Sequence, residues 1–160
     1  MKKQILITYN VLHKEELNEI ENALFVEALK ARKNAYAPYS QFLVGCSLLL
    51  ENGKIYTGNN QENAAYPSGL CAERSILYWI GANHPEQKIE KLFIVGGAKE
   101  NPNLKQIVPP CGSCRQSILE YENKQQSNIE IYIASLDGKL IYKINSTRDL
   151  LPFSFDANFL

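Results

Sequence analysis

Cys71-Ala72-Glu73 and Pro110-Cys111-Gly112-Ser113-Cys114 are the two motifs around which the rest of this 160-residue sequence can be organised. A structural zinc site normally closes its tetrahedron with four protein ligands, whereas a catalytic site supplies three and keeps a position for water. Three cysteines therefore indicate catalytic zinc. The remaining ionisable group, Glu73, is interpreted as a base beside that water.

The spacing of the cysteines predicts where each one lies. Cys111 and Cys114 are three residues apart, so at the start of a helix they share one face and can chelate together. Cys71 is forty residues upstream, too far for a compact zinc ribbon or finger, so the tertiary fold must deliver it. The metal is expected to join the starts of two helices.

The spacing of Cys71 and Glu73 restricts where the helix that contains Glu73 can begin. Residues two apart in a regular helix point to nearly opposite faces, because each residue turns the helix by about 100°. The sulfur and the carboxylate can converge only if Cys71 is at the N-cap or in the first turn. A Cys71 in the middle of a helix would contradict the prediction.

Two simpler interpretations of the cysteines compete with a catalytic zinc site. One is a structural zinc site, and the other is a set of buried thiols that bind no metal. Cys46, inside an apolar run, is predicted to be a core residue. His13 and His84 are assigned no catalytic role, although His84 as a fourth zinc ligand stays open.

Composition limits the class of protein. Seventeen Lys and Arg balance seventeen Asp and Glu, so the basic excess of a non-specific nucleic-acid binder is absent. Length and a 45% hydrophobic content predict one domain over residues 1–160. No apolar run matches a signal peptide or a membrane span. With cysteines at ligand spacing, this predicts a cytoplasmic protein with reduced thiols and no membrane partner.

Hydrophobic periodicity predicts helices alternating with about five strands. Asn52-Gly53 and Asp137-Gly138 each indicate a hairpin turn. Residues 98–110 show no clear element. The pattern predicts an α/β sheet covered on both faces, with both cysteine motifs at helix N-termini on one side. Helices are predicted at 15–37, 71–80, 111–121 and near 147, and strands at 44–50, 55–57, 88–95, 129–134 and 140–144.

The two motifs resemble those of zinc deaminases, which use a glutamate as acid and base beside a downstream P-C-x-x-C. Four blocks of the sequence also resemble the small, free-nucleoside cytidine deaminases, and the resemblance covers roughly residues 30–155. These blocks are AYAPYSQFLVG at 35–45, NQENAAY at 60–66, CAER at 71–74 and PCGSCRQ at 110–116.

The resemblance implies a three-layer α/β/α sandwich with a mixed sheet of about five strands, and a homotetramer. It implies hydrolysis of cytidine and deoxycytidine to the uridines plus ammonia, in pyrimidine salvage. It further implies one zinc per subunit held by Cys71, Cys111 and Cys114, with Glu73 as the proton shuttle.

The substrate residues implied by the resemblance come from four parts of the chain. The side chains of Asn60 and Glu62 match those that hold the ribose hydroxyls, and Phe42 matches an aromatic lining the nucleoside pocket. Ala72 offers its N–H to the base carbonyl. Phe155 matches an aromatic lent to a neighbouring subunit, so the site would be complete only in the oligomer.

The charge of the expected zinc site predicts one further functional residue, Arg74. Three thiolates overcompensate Zn²⁺ and weaken its pull on water, so a positive group is expected close by, and Arg74 directly follows Glu73. The helix N-termini act in the same direction. The chain departs from the family at residues 1–14, an N-terminal extension, at the lengthened 98–110 segment, and at Asn59, where a cysteine is common.

Other interpretations remain open at this point. Without the resemblance, Asn60 and Glu62 could form only a turn, and Phe42 and Phe155 could be core or interface aromatics. A deaminase of a nucleoside-like antibiotic such as blasticidin S shares the cysteine motifs. A polynucleotide cytosine deaminase or binding module is the other alternative. Arg74 and the 60–62 block favour cytidine, and neutral charge disfavours nucleic acid.

Overall fold

The computed structural model describes all 160 residues. The chain forms one mixed six-stranded sheet that lies between two layers of helices. Helix α1 covers one face, and α2 and α3 cover the other. This is the predicted three-layer α/β/α arrangement. The strands are β1 Asn10–Leu12, β2 Phe42–Leu50, β3 Ile55–Asn59, β4 Ile89–Ala98, β5 Glu130–Ala134 and β6 Ile141–Ile144, and the helices are α1 Glu19–Lys33, α2 Ala72–Asn83 and α3 Gly112–Gln125.

The strand order is β1-β6-β5-β4-β2-β3, and only the β4–β5 pair is parallel. Alternate residues of the central strands serve the two faces, as the pleat requires. On β4, Leu92 and Ile94 pack under α2 and α3, whereas Phe93 and Val95 pack under α1. Both faces are therefore buried, and the elements that carry the cysteines share one of them.

The expected count of about five strands was one too low. Asn10–Leu12 forms β1 and pairs antiparallel with β6, with Val11 opposite Tyr142. The backbone N–H of Lys14 also donates to the carbonyl of Gly138, at 2.9 Å. Three residues are too few for an alternating pattern to be visible in the sequence. Part of the N-terminal extension is thus the edge of the sheet.

The helix predicted over 15–37 is present as α1, but its predicted bounds were four residues too wide at each end. A 3₁₀ turn at Lys14–Glu16 comes first, and α1 begins only after Asn18. The Asn18 side chain accepts from the N–H of Glu21 at 2.9 Å, and the Glu21 carboxylate accepts from the N–H of Asn18 at 3.1 Å. This capping box starts a new helix there.

The other predicted elements are present within a few residues of their expected bounds. The hairpins β2–β3 and β5–β6 are antiparallel pairs, and residues 98–110 contain no α-helix and only the last residue of β4. The short helix near 147 is a 3₁₀ turn at Thr147–Asp149. No helix is long and apolar enough to cross a membrane.

Gly58 brings α2 close to the sheet. A Cβ at Gly58 would lie 2.8 Å from the Cβ of Ile76, 2.9 Å from the hydroxyl oxygen of Ser75 and 3.0 Å from the carbonyl oxygen of Ala72. Such contacts are far inside van der Waals distance. A glycine on β3 is therefore required for the first turn of α2 to lie where it does.

Candidate active site

Three cysteine sulfurs meet where α2 and α3 begin. The Sγ of Cys111 lies 3.8 Å from that of Cys71 and 3.5 Å from that of Cys114. All three sulfurs are within 4.8 Å of one another. Tetrahedral zinc with Zn–S bonds of about 2.3 Å requires sulfurs separated by about 3.8 Å. The cluster therefore fits zinc, and the thiols are not merely buried core groups.

The helix starts lie where the spacing predicted. Cys71 is the N-cap of α2 and Cys111 the N-cap of α3, both with extended backbone, and Cys114 is the third residue of α3. The requirement that Cys71 precede the helix is confirmed. His84 cannot be a fourth ligand, because it follows α2 at the opposite end, where it packs against Tyr56.

The surroundings of the sulfurs favour negative charge. A hydrogen bond from the Cys114 thiol, followed by one from Arg74, lowers the pKa of Cys71 to about 5 despite partial burial. The Nη2 of Arg74 lies 3.6 Å from the Cys71 sulfur. The thiolate of Cys71 in turn raises the pKa of Cys114, as expected for coupled sites that share a charge. Arg74 thus lies where the charge argument placed it.

Glu73 lies beside the cluster and is only 4% exposed. Burial raises the pKa of its carboxyl, and the negative charge of Cys71 raises it further. A raised carboxyl pKa suits a group that both accepts and donates a proton near neutral pH. Below it, Cys46 is fully buried in the core, as predicted.

A pocket of about 490 Å³ opens next to Cys71 and Arg74. Its volume lies in the range typical of small-molecule sites. The wall combines aromatic, amide and carboxylate side chains and includes two of the predicted substrate residues. The lining residues are Tyr39, Ser40, Asn60, Gln61, Glu62, Asn63, Tyr66, Gly69, Leu70, Cys71 and Arg74.

Asn60 is held by the first strand of the central hairpin. Its Oδ1 accepts from the N–H of Val44 at 2.8 Å, and its Nδ2 donates to the carbonyl of Phe42 at 2.9 Å. An amide side chain has two donor hydrogens and two acceptor lone pairs. One of each stays available, so the side chain can bind a hydroxyl group in the pocket.

Glu62 is held by the loop after α1. Its carboxylate accepts from the N–H of Tyr39 at 2.9 Å and from that of Ser40 at 3.2 Å. The hydroxyl of Ser40 also donates to it and, with these backbone bonds, lowers the pKa of Glu62. An ionised carboxylate has about four acceptor positions, so at least one remains for a ligand hydroxyl.

The three remaining predicted substrate residues are not part of the pocket wall. Ala72 is fully buried in the first turn of α2, where backbone N–H groups have no acceptor within the helix. Phe42 is half-buried at the start of β2, outside the pocket wall. Phe155 is 60% exposed, stacks on Phe159 and also lies outside the wall. One chain alone does not bring these two rings to the pocket.

Sequence reasoning missed several contributors. The rings of Tyr39 and Tyr66 lie 5.9 Å apart and both line the pocket. Both tyrosines lie inside the blocks at 35–45 and 60–66 that carry the resemblance, so those blocks were an available signal. Gly58 gave no signal, and the role of Ser40, although it lies in the first block, depends like that of Gly58 on contacts between distant segments.

Comparisons with known proteins agree with this geometry. Residues 18–127 match the family model described as the cytidine and deoxycytidylate deaminase zinc-binding region. A cytidine deaminase of Sporosarcina psychrophila is 38% identical over 82% of this chain and 88% of its own length. That of Halalkalibacterium halodurans is 37% identical over 84% of this chain and 92% of its own.

A solved structure is similar as well. The crystal structure of cytidine deaminase from Burkholderia pseudomallei superposes with a TM-score of 0.70 at 34% identity. The match covers 84% of this chain and 98% of the other. The sheet and the helices therefore belong to a fold that relatives share, and the sulfur cluster lies within the residues that match the zinc-binding family model.

Proposed function

This chain belongs to the cytidine and deoxycytidylate deaminase family, and on that premise we propose that it deaminates cytidine and deoxycytidine hydrolytically, with zinc as cofactor. The products are uridine or deoxyuridine and ammonia. The observation that carries the proposal is the cluster of three sulfurs beside buried Glu73, next to a pocket of about 490 Å³.

The chemistry divides between the metal and the chain. Cys71, Cys111 and Cys114 would hold zinc, which would lower the pKa of a bound water towards neutrality. Glu73 takes the proton of that water and delivers it to N3 of the pyrimidine, which makes C4 more electrophilic. The hydroxide left by that proton transfer would add to C4, and the same carboxyl would then move the proton of the new C4 hydroxyl to the amino group, which leaves as ammonia as the C4–N bond breaks. Its burial supports this double use, since a raised pKa lets one group accept and donate.

Arg74 is assigned the task of balancing charge. Three thiolates around one Zn²⁺ leave an excess negative charge, which opposes the loss of a proton from water. The guanidinium next to the Cys71 sulfur offsets part of that excess. The N-termini of α2 and α3 add partial positive charge at Cys71 and Cys111.

Substrate recognition is assigned to the pocket wall and its neighbours. Asn60 and Glu62 bind the sugar hydroxyls through the acceptor and donor positions that their own partners leave open. The N–H of Ala72 donates to the base carbonyl. Phe42, whose ring lies outside the pocket wall in a single chain, is assigned to contact the base in the assembled oligomer.

The assembly is part of the same proposal. We assign a homotetramer in which Phe155 of one subunit completes the site of another, supported by the exposure of its ring. Each subunit is one domain over residues 1–160, with 1–14 as an extension, and holds one zinc. Four free cysteines support a cytoplasmic enzyme of pyrimidine salvage.

The test is an ultraviolet absorbance assay on the zinc-loaded protein. Cytidine and deoxycytidine should lose absorbance as uridines form, with one ammonia released per nucleoside. Blasticidin S and single-stranded cytosine oligonucleotides serve as competitors. Turnover of blasticidin S or of an oligonucleotide without turnover of either nucleoside would overturn the proposal.

A further inference from the structure

The last part of the chain follows α3 backwards, from the C-terminal end of the helix to the end that holds the metal ligands. At the far end, the buried carboxylate of Glu122 accepts from the hydroxyl of Ser146 at 2.9 Å and from the N–H of Thr147 at 3.0 Å. The Nη2 of Arg148 donates to the Oδ1 of Asn123 at 2.6 Å. These contacts fix where the segment starts.

At the metal end, the two residues directly after Cys114 hold the segment again. Arg115 donates from Nε to the carbonyl of Pro110 at 2.9 Å and from Nη1 to the carbonyl of Leu150 at 2.8 Å. Gln116 donates from Nε2 to the carbonyl of Phe155 at 2.9 Å. The N-cap and the first five residues of α3 therefore carry two of the proposed zinc ligands, Cys111 and Cys114, and both α3 residues that bond to the 150–155 segment.

The ring of Phe155 is not held by the hydrophobic core, although the next residue, Asp156, is buried and its carboxylate lies 3.6 Å from the Nη2 of Arg148. Phe155 is 60% exposed and stacks on Phe159, which is 69% exposed. Neither ring belongs to a hydrophobic core cluster. The direction in which Phe155 points is thus set by its backbone, and the Phe155 carbonyl is bound by Gln116.

We propose that Arg115 and Gln116 are positioning residues, which hold the 150–155 segment against the metal-binding turn so that Phe155 is presented to a neighbouring subunit's nucleoside. This inference rests on the proposed function. A tail free to move would present the same ring in many orientations, and the loss would appear in nucleoside binding more than in the chemical step. Neither side chain touches the reacting atoms.

The experiment compares Gln116→Ala with Glu120→Ala, an exposed position on the same helix with no bond to the tail. Loss of one neutral hydrogen bond should raise the KM for cytidine by about fivefold, with kcat little changed. Zinc content and Tm should stay at wild-type values. Arg115→Lys, which keeps the charge but cannot reach both carbonyls, should raise KM as well.

Two further readouts separate positioning from general structure. Chymotrypsin should cleave the tail at Phe153, Phe155 or Phe159 several-fold faster in Gln116→Ala than in Glu120→Ala. In a Phe155→Ala background, Gln116→Ala should raise KM no further, because the ring that it positions is gone.

Several results would overturn the inference: an unchanged KM in Gln116→Ala and Arg115→Lys, a KM effect that persists in the Phe155→Ala background, or unchanged cleavage of the tail. If the wild-type protein does not deaminate nucleosides, the proposed function fails instead. The cleavage rates, which need no turnover, then decide alone whether these two residues hold the tail.

Discussion

Gly58→Ala should disturb the metal site from a distance. The new Cβ would meet the Cβ of Ile76 at 2.8 Å and the carbonyl oxygen of Ala72 at 3.0 Å, and neither can move without moving α2. Overpacking of this kind typically costs about 1–3 kcal/mol. In a chain of this length, each kcal/mol lowers Tm by about 2–4 °C, so a fall of about 5 °C is expected.

The zinc site should weaken with it, because Cys71 caps the displaced helix and its sulfur must stay about 3.8 Å from that of Cys111. Thermal unfolding and competition with a chromogenic zinc chelator measure the two effects. Gly112→Ala is the matched control, since a Cβ at Gly112 would meet nothing within 4 Å. If Gly58→Ala retained zinc and Tm as well as Gly112→Ala does, the proposed role of β3 in placing α2 would be refuted.

Two more predictions concern charge. Although burial alone would raise the pKa of Glu130, hydrogen bonds from two lysines lower it, so its contribution to stability is present above the unfolded pKa of about 4.3 and is lost as pH falls further. Glu130→Gln should therefore lower Tm at pH 7 but not at pH 3, and a pH-independent difference would contradict this. In zinc-free protein, Arg74→Ala should slow alkylation of Cys71 by iodoacetamide at pH 6, because it removes a donor that, after the Cys114 thiol, lowers the pKa of Cys71. Equal alkylation rates in a pH series, followed by peptide mapping, would count against the charge-balancing role.

The sulfur cluster was predictable because ligand chemistry restricts both residue type and position. Only a location at the N-cap or in the first turn lets Cys71 and Glu73 face the same point, so local geometry placed the helix start to within a turn before the fold was known. A separate argument, from the negative charge of three thiolates, identified Arg74. Asn60 and Glu62 could be located only by resemblance, because a short polar run after a strand is also typical of a simple turn.

The features that could not be predicted from the sequence depend on contacts between distant segments. Strand β1 is three residues long and owes its existence to β6, more than a hundred residues away. Hydrophobic periodicity continued through Asn18, and the capping box with Glu21 that interrupts it was overlooked. The hydrogen bonds from Ser40 to the Glu62 carboxylate likewise join two loops, and no local sequence pattern connects these loops.

The central claim is that three cysteines hold zinc while Glu73 moves the protons. Glu73→Gln tests it most directly, because the amide keeps the shape of the side chain but cannot shuttle a proton. Zinc content and cytidine turnover are measured on the same preparation. We expect zinc at the wild-type stoichiometry and turnover reduced by a factor of about 10²–10⁴ or more. Near-wild-type turnover with full zinc occupancy would contradict the account.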